Sequence, residues 1–160
     1  MRWYCRMITS NFPPETISLE SSRHASMSDY DIKVCFAGQI KIVGQSNSSL
    51  AFMLNDVPVF GFMNDLCVSI RKLLDGENTV EFMDFYGEYC IEIKLDSCEK
   101  VSLRNKWDQG IADFFLPYFL TSVQSWIERV DLQIKDKIPV FSRNPVYTEM
   151  IMSFRKLIRD

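Results

Sequence analysis

The chain holds one histidine, six glycines and no CxxC pair, and each shortage removes a kind of chemistry. Zinc takes about four Cys, His or acidic ligands at short spacings. Here Cys5, Cys35, Cys67, Cys90 and Cys98 are scattered. Their odd number also argues against a disulfide scaffold and for reduced thiols. A thiol nucleophile needs a base, and the single histidine, His24, sits in a polar run over 21–26. The glycines are isolated turn residues, with no phosphate-cradling GxxxxGK[ST] or GxGxxG loop and no GxSxG elbow. The longest apolar run, 114–120, is broken by Pro117 and is too short to span a bilayer. The first ten residues lack the apolar core of a signal peptide. The expectation is a cytoplasmic chain with no catalytic set, no metal, no cofactor and no membrane span.

Hydrophobic residues are 47% and charged residues 24% of 160, an ordinary soluble composition for a chain of one-domain size. The net charge of −3 hides an asymmetry. Between Asp75 and Glu99 stand eight acids and one base, Lys94, a local net of −7 that leaves +4 for the other 135 residues. Arg129, Lys135, Lys137, Arg143, Arg155, Lys156 and Arg159 gather much of that positive charge near the end of the chain. An acidic middle is either a solvated sheet edge or a field that steers a basic partner. The face expected outward on the sheet mixes Glu81, Glu92, Lys94, Arg104 and Lys106. It is not the basic stripe of a nucleic-acid binder, and no nucleic-acid partner is expected.

Residues 1–26 read as an irregular segment peripheral to the core, or as an edge strand carrying Trp3, Cys5 and Met7; residues 27–160 read as one α+β domain. Over 30–44 apolar residues alternate (Ile32, Val34, Phe36, Ile40, Ile42), which predicts one half-buried antiparallel strand, or two strands around Gly38, where a bulge or bend is suggested. A short strand over 50–54 is closed by Asn55, Asp56 and Pro58. Phe62, Met63, Leu66, Ile70, Leu73 and Leu74 recur at helical spacing over 59–74, with Gly76 placed as a left-handed cap. Residues 79–107 read as a three-stranded meander, with Val80, Phe82, Tyr89, Ile91, Ile93, Leu95, Val101, Leu103 and Trp107 inward. Residues 108–113 read as a linker. Pro117 opens a helix to about residue 135, and Asn144-Pro145 opens the last one. The expected fold is a mainly antiparallel sheet of five to six strands, with three helices packed on one face.

The meander sorts the acids by end. Asp75 and Glu77 should meet Asp96 and Glu99 at one end, and Asp84, Tyr86, Glu88, Trp107 and Asp108 should gather at the other. Aromatics ringed by charge are what a protein-recognition patch looks like.

An α+β layout from Tyr30 to Asp160, the acidic central meander DGENTVEFMDFYGEYCIEIKLDSCEK and the lack of a catalytic set resemble the small bacterial immunity proteins of polymorphic and contact-dependent inhibition systems. The resemblance implies a toxin inhibitor that binds a cognate toxin domain, a basic nuclease being the fitting kind, and blocks its active site. An intracellular adaptor or chaperone-like homodimer is the alternative reading. An enzyme of undeclared mechanism is the third.

Overall fold

The computed structural model describes residues 8–13, 26–45, 51–84 and 87–159. Expectations for Trp3, Cys5, Met7, His24 and Tyr86 lie outside these residues. The described residues form an α+β fold of seven strands, β1 (Ile8–Asn11), β2 (Ala37–Val43), β3 (Ala51–Pro58), β4 (Thr79–Met83), β5 (Cys90–Leu95), β6 (Lys100–Asn105) and β7 (Ile111–Phe115). Four α-helices accompany them: α1 (Asp29–Cys35), α2 (Val59–Leu74), α3 (Leu116–Lys137) and α4 (Pro145–Arg159), with a 3-10 turn at Pro139–Arg143.

The strands make two antiparallel sheets, β1-β2-β3 and β4-β5-β6-β7, where the sequence predicts one of five to six strands. They meet at Gln45. Its backbone N–H donates to the Asp113 carbonyl (2.7 Å), and its side-chain Oε1 accepts from the Phe115 N–H (3.0 Å). One residue thus serves the outer edge of β7 as a short strand would. The approach needs Gly44, since a Cβ there would stand 2.9 Å from the Asp113 nitrogen.

Four readings change. Residues 29–35 are helix, not strand. Ser28 caps α1 reciprocally with Asp31, whose carboxylate accepts from the Ser28 N–H (3.1 Å) while the Ser28 hydroxyl accepts from the Asp31 N–H (3.2 Å). Ile32 and Phe36 are four apart, a spacing that serves either period, so alternation alone could not decide. The 108–113 linker holds β7, and Ala112 and Phe114 are buried on it. Strand β3 runs through Asn55 and Asp56, absorbed as a bulge opposite the Gly38–Ile40 register shift with Asp56 at φ 55°. At the other end of the chain, Ile8 and Phe12 are core residues, so this part of the N-terminal segment is not peripheral.

Helix α2 lies at the centre and is buried on two sides. Phe60 packs against Phe36 and Tyr147 at ring separations of 5.6 and 5.8 Å. Phe62 packs against Tyr89, Phe82 and Trp126 at 5.2, 5.5 and 6.2 Å. One helix therefore joins α1 and α4 to the four-stranded sheet and α3. It ends as predicted: Gly76 stands at φ 109°, and the Asp75, Gly76 and Glu77 N–H groups return to the Arg71, Leu73 and Lys72 carbonyls.

Helices α3 and α4 are joined through a buried carboxylate. Asp131 accepts from the Tyr147 hydroxyl (2.9 Å), the Lys135 ammonium (3.0 Å) and the Arg155 guanidinium (3.1 Å). Three donors satisfy the charge that burial would otherwise penalise. Burial, then the Asp131 charge, pushes the Tyr147 phenol up. The predicted Asn144-Pro145 start holds too, Asn144 accepting from the Tyr147 N–H at 3.1 Å.

Candidate functional site

Register fixes the outer face of the four-stranded sheet. Side chains alternate, so Thr79, Glu81 and Met83 of β4 share that face with Cys90, Glu92 and Lys94 of β5. Lys100, Ser102 and Arg104 of β6 and Ile111, Asp113 and Phe115 of β7 complete it. Its charges nearly cancel. Lys106 pairs with Glu81, Lys94 with Glu92 (3.2 Å) and Lys100 with Asp113 (2.9 Å). Hydrogen bonds from Lys106 and the Cys90 thiol hold the Glu81 carboxyl below its usual range. Burial raises Asp113, but the Ser102 hydroxyl and Lys100 outweigh it and hold that carboxyl low. The excess negative charge sits at the rims.

At one rim the sum of paired residue numbers in the ladder sets Glu77 opposite Asp96, beside the turn that holds Glu99. The four predicted acids do come to the same end, but two of them serve the fold. Asp75 pairs with Arg71 (3.1 Å). The Asp96 carboxylate accepts from the Cys98 and Lys100 N–H groups, both at 2.9 Å. Glu77 and Glu99 make no ion pair among the described residues, and Glu99 holds the turn's left-handed position at φ 57°. Half-exposed Phe115 and Tyr118, with ring centres 6.0 Å apart, border this rim and were not singled out from sequence.

The other rim holds Asp84, Glu88, Trp107 and Asp108. Trp107 is 63% exposed, contrary to the inward placement the alternation gave it. The strand ends at Asn105 and a turn follows, so period two no longer applies. The side chain lies beside Cys90 and opposes the effect of burial on that thiol. Met83, 60% exposed, is the register partner of Cys90. Cys90, on the wet parity of its strand, is nonetheless buried, and its thiol donates to Glu81 (3.2 Å). Burial, then Glu81, pushes that thiol up.

Asp84 is buried rather than displayed. Its N–H donates to the Tyr89 carbonyl (3.3 Å), which makes the two direct neighbours on the inner face. Asp65, which the sequence reading did not weigh, approaches from α2 one turn beyond Phe62. Burial raises the Asp65 carboxyl; Asn64 and Lys33 oppose the shift and Asp84 adds to it. Burial, then Asp65, Asp84 and Glu88, pushes the Tyr89 phenol up. Only Glu88 and Asp108 of this rim's predicted acids are exposed, and Asp108 also caps its turn by accepting from the Gly110 N–H (2.8 Å).

Elsewhere, a shallow cleft of about 260 Å³ between β1 and α3 is lined by Thr9, Ser10, Trp126, Arg129, Val130 and Gln133, none of them a predicted site residue. Among the described residues no three His, Cys, Asp or Glu side chains gather as a metal site, and no helix is long and apolar enough to cross a membrane. No protein-family model, curated protein or solved structure matches the chain.

Proposed function

We propose that this protein works by binding: it is an immunity-type inhibitor that holds a basic toxin domain against the rim formed by residues 83, 84, 87, 88 and 106–108. The observation that carries the reading is that exposed Met83 and Trp107 each lie beside Cys90, on the rim that also holds Glu88 and Asp108. Tryptophan supplies large rigid area at low entropic cost and is a frequent hot spot. Glu88 and Asp108, which make no ion pair among the described residues, favour a cationic partner and speed its approach. The balanced outer face between the rims gives no comparable field.

The test begins with the tagged protein purified from its own cells at low and moderate salt, with the mass of the intact complex. The expected result is a stoichiometric basic protein whose association slows as salt rises. Glu88→Lys with Asp108→Lys should slow association about tenfold, and Trp107→Ala should weaken the complex by about 2 kcal/mol, roughly thirtyfold. Recovery of the protein only with itself would overturn the reading in favour of the homodimer. Loss of binding from Glu77→Lys with Glu99→Lys, but not from the first pair, would move the interface to the opposite rim.

A further inference from the structure

Two of the four sheet edges, β1 and β7, take hydrogen bonds from described residues outside their own sheet. Helix α3 covers β1, the Trp126 indole donating to the Ser10 hydroxyl (3.0 Å) and Arg129 to the Ile8 carbonyl (2.7 Å). Strands β3 and β7 lie toward one another across the Gln45 junction. No such bond from the described residues reaches the β4 backbone.

Alternation says which of its groups are open. In an antiparallel pair, hydrogen-bonded positions recur every second residue. The Leu95 N–H donates to Asn78 and the Asp84 N–H to Tyr89, so the even residues of 78–84 bond β5. The N–H and C=O groups of Thr79, Glu81 and Met83 therefore point away from the sheet. The same alternation on β7 turns Ile111, Asp113 and Phe115 outward, and there Gln45 takes the Asp113 carbonyl and the Phe115 N–H. No described residue does this for β4. The edge is extended and free of proline and lysine, the usual blunting residues.

We infer that β4 is a docking edge, and that its occupant is an extended cationic segment of the partner, added as a fifth strand. This deepens the reading above and rests on it for the partner's charge. Glu77 precedes the edge, Glu81 and Met83 lie on it, and Glu88 follows the turn beyond it; Glu77 and Glu88 make no ion pair among the described residues. An incoming strand would bond the three open residues while lysines or arginines toward its ends approach Glu77 and Glu88. A second copy fits worse. The fullest β4–β4 pairing, about a two-fold axis at residue 81, sets Glu81 opposite its own copy, and like charges directly opposite destabilise a sheet.

The test uses the full chain and a peptide of alternating lysine and valine. In the free protein, the Thr79, Glu81 and Met83 amides should exchange at least about a hundredfold faster than those of Val80 and Phe82. Saturating peptide should slow these three at least about tenfold. A glutamate–valine peptide, or a lysine–valine peptide methylated on alternate backbone nitrogens, should bind at least about tenfold more weakly. Thr79→Pro removes an edge donor and leaves the β5 ladder whole, so it should weaken peptide binding where Thr79→Ala does not.

Slow exchange at 79, 81 and 83 in the free chain would overturn the inference, pointing to a segment of the chain itself or, where dilution speeds exchange, to a second copy. Equal affinity for the acidic peptide would overturn it as well. The peptide assay involves no toxin. A chain that takes the peptide but holds no basic protein loses the immunity reading and keeps the edge. A chain that holds a basic protein with these amides unprotected keeps that reading and loses the edge.

Discussion

Strands β1 and β4 stand at the outer edges of their sheets, and the molecule treats them differently. Helix α3 lies along β1, with Trp126 fully buried between Ser10 and Phe62. No described residue bonds the outer edge of β4, whose odd residues are exposed while Val80 packs into the core. The contrast is one of layers. Helix α2 packs on the inner face of β4, Phe62 against Phe82, whereas α3 sends side-chain hydrogen bonds to β1. An edge with free backbone groups is a hazard unless something is meant to occupy it. On this comparison, β1 is tied into the fold and the outer backbone groups of β4 are left unbonded by the described residues.

The largest blow to the comparison is Trp126→Ala. It removes a buried indole and the donor to Ser10, and should cost about 4 kcal/mol, read from the midpoint of urea unfolding. A loss under about 1 kcal/mol would mean that α3 does not hold β1. The proline change at Thr79, by contrast, should leave that midpoint almost unmoved.

Next is the junction between the sheets. Gly44→Ala places a Cβ against the Asp113 backbone nitrogen, in a spot where backbone rather than a flexible side chain must yield. Overpacking of this kind should cost about 2 kcal/mol in thermal or urea unfolding. Wild-type stability in the alanine variant would show that the Gln45 stitch is slack.

The smallest effect concerns the ion pair on the wet face. The Asp113 carboxyl is held low by Ser102 and Lys100, so its folded pKa lies below its unfolded one. Its contribution is then fully present above the unfolded value and fades as pH falls through the folded value. Urea unfolding at pH 7 should separate wild type from Asp113→Asn by well under about 1 kcal/mol, since Lys100 is half-exposed. At pH 2 the gap should close. A gap unchanged with pH would assign the effect to packing.

Much of the fold was legible where local signals agree. The apolar period, Pro58 before it and Gly76 after it gave α2 its observed limits, Val59–Leu74. Pro117 and Asn144-Pro145 opened helices where they stand, and Gly38 marked the bulge. Where two periods coincide, as at Ile32 and Phe36, the capping box decided and alternation misled. Strand β7 escaped notice because Ile111 to Phe115 begins among turn residues and runs without pause into the proline-started helix.

The candidate site was legible only as a composition. The chain showed where the acids lie in sequence and that a meander would send them to two ends. It could not tell that Asp75, Asp84, Asp96 and Asp108 are drawn into a helix cap, the inner face and two turns. Nor could it tell that Trp107 leaves the sheet and Met83 stays exposed. Those outcomes depend on which backbone donors lack partners once the strands are paired.

The sequence by itself determined the α+β class, the main helices, the meander and the acidic middle, because period, caps and charge act over a few residues. The tertiary structure alone decided that there are two sheets, that Gly44 and Gln45 join them, and that no described residue bonds the outer edge of β4. Edges are set by which layers meet, and those contacts join residues far apart in the chain.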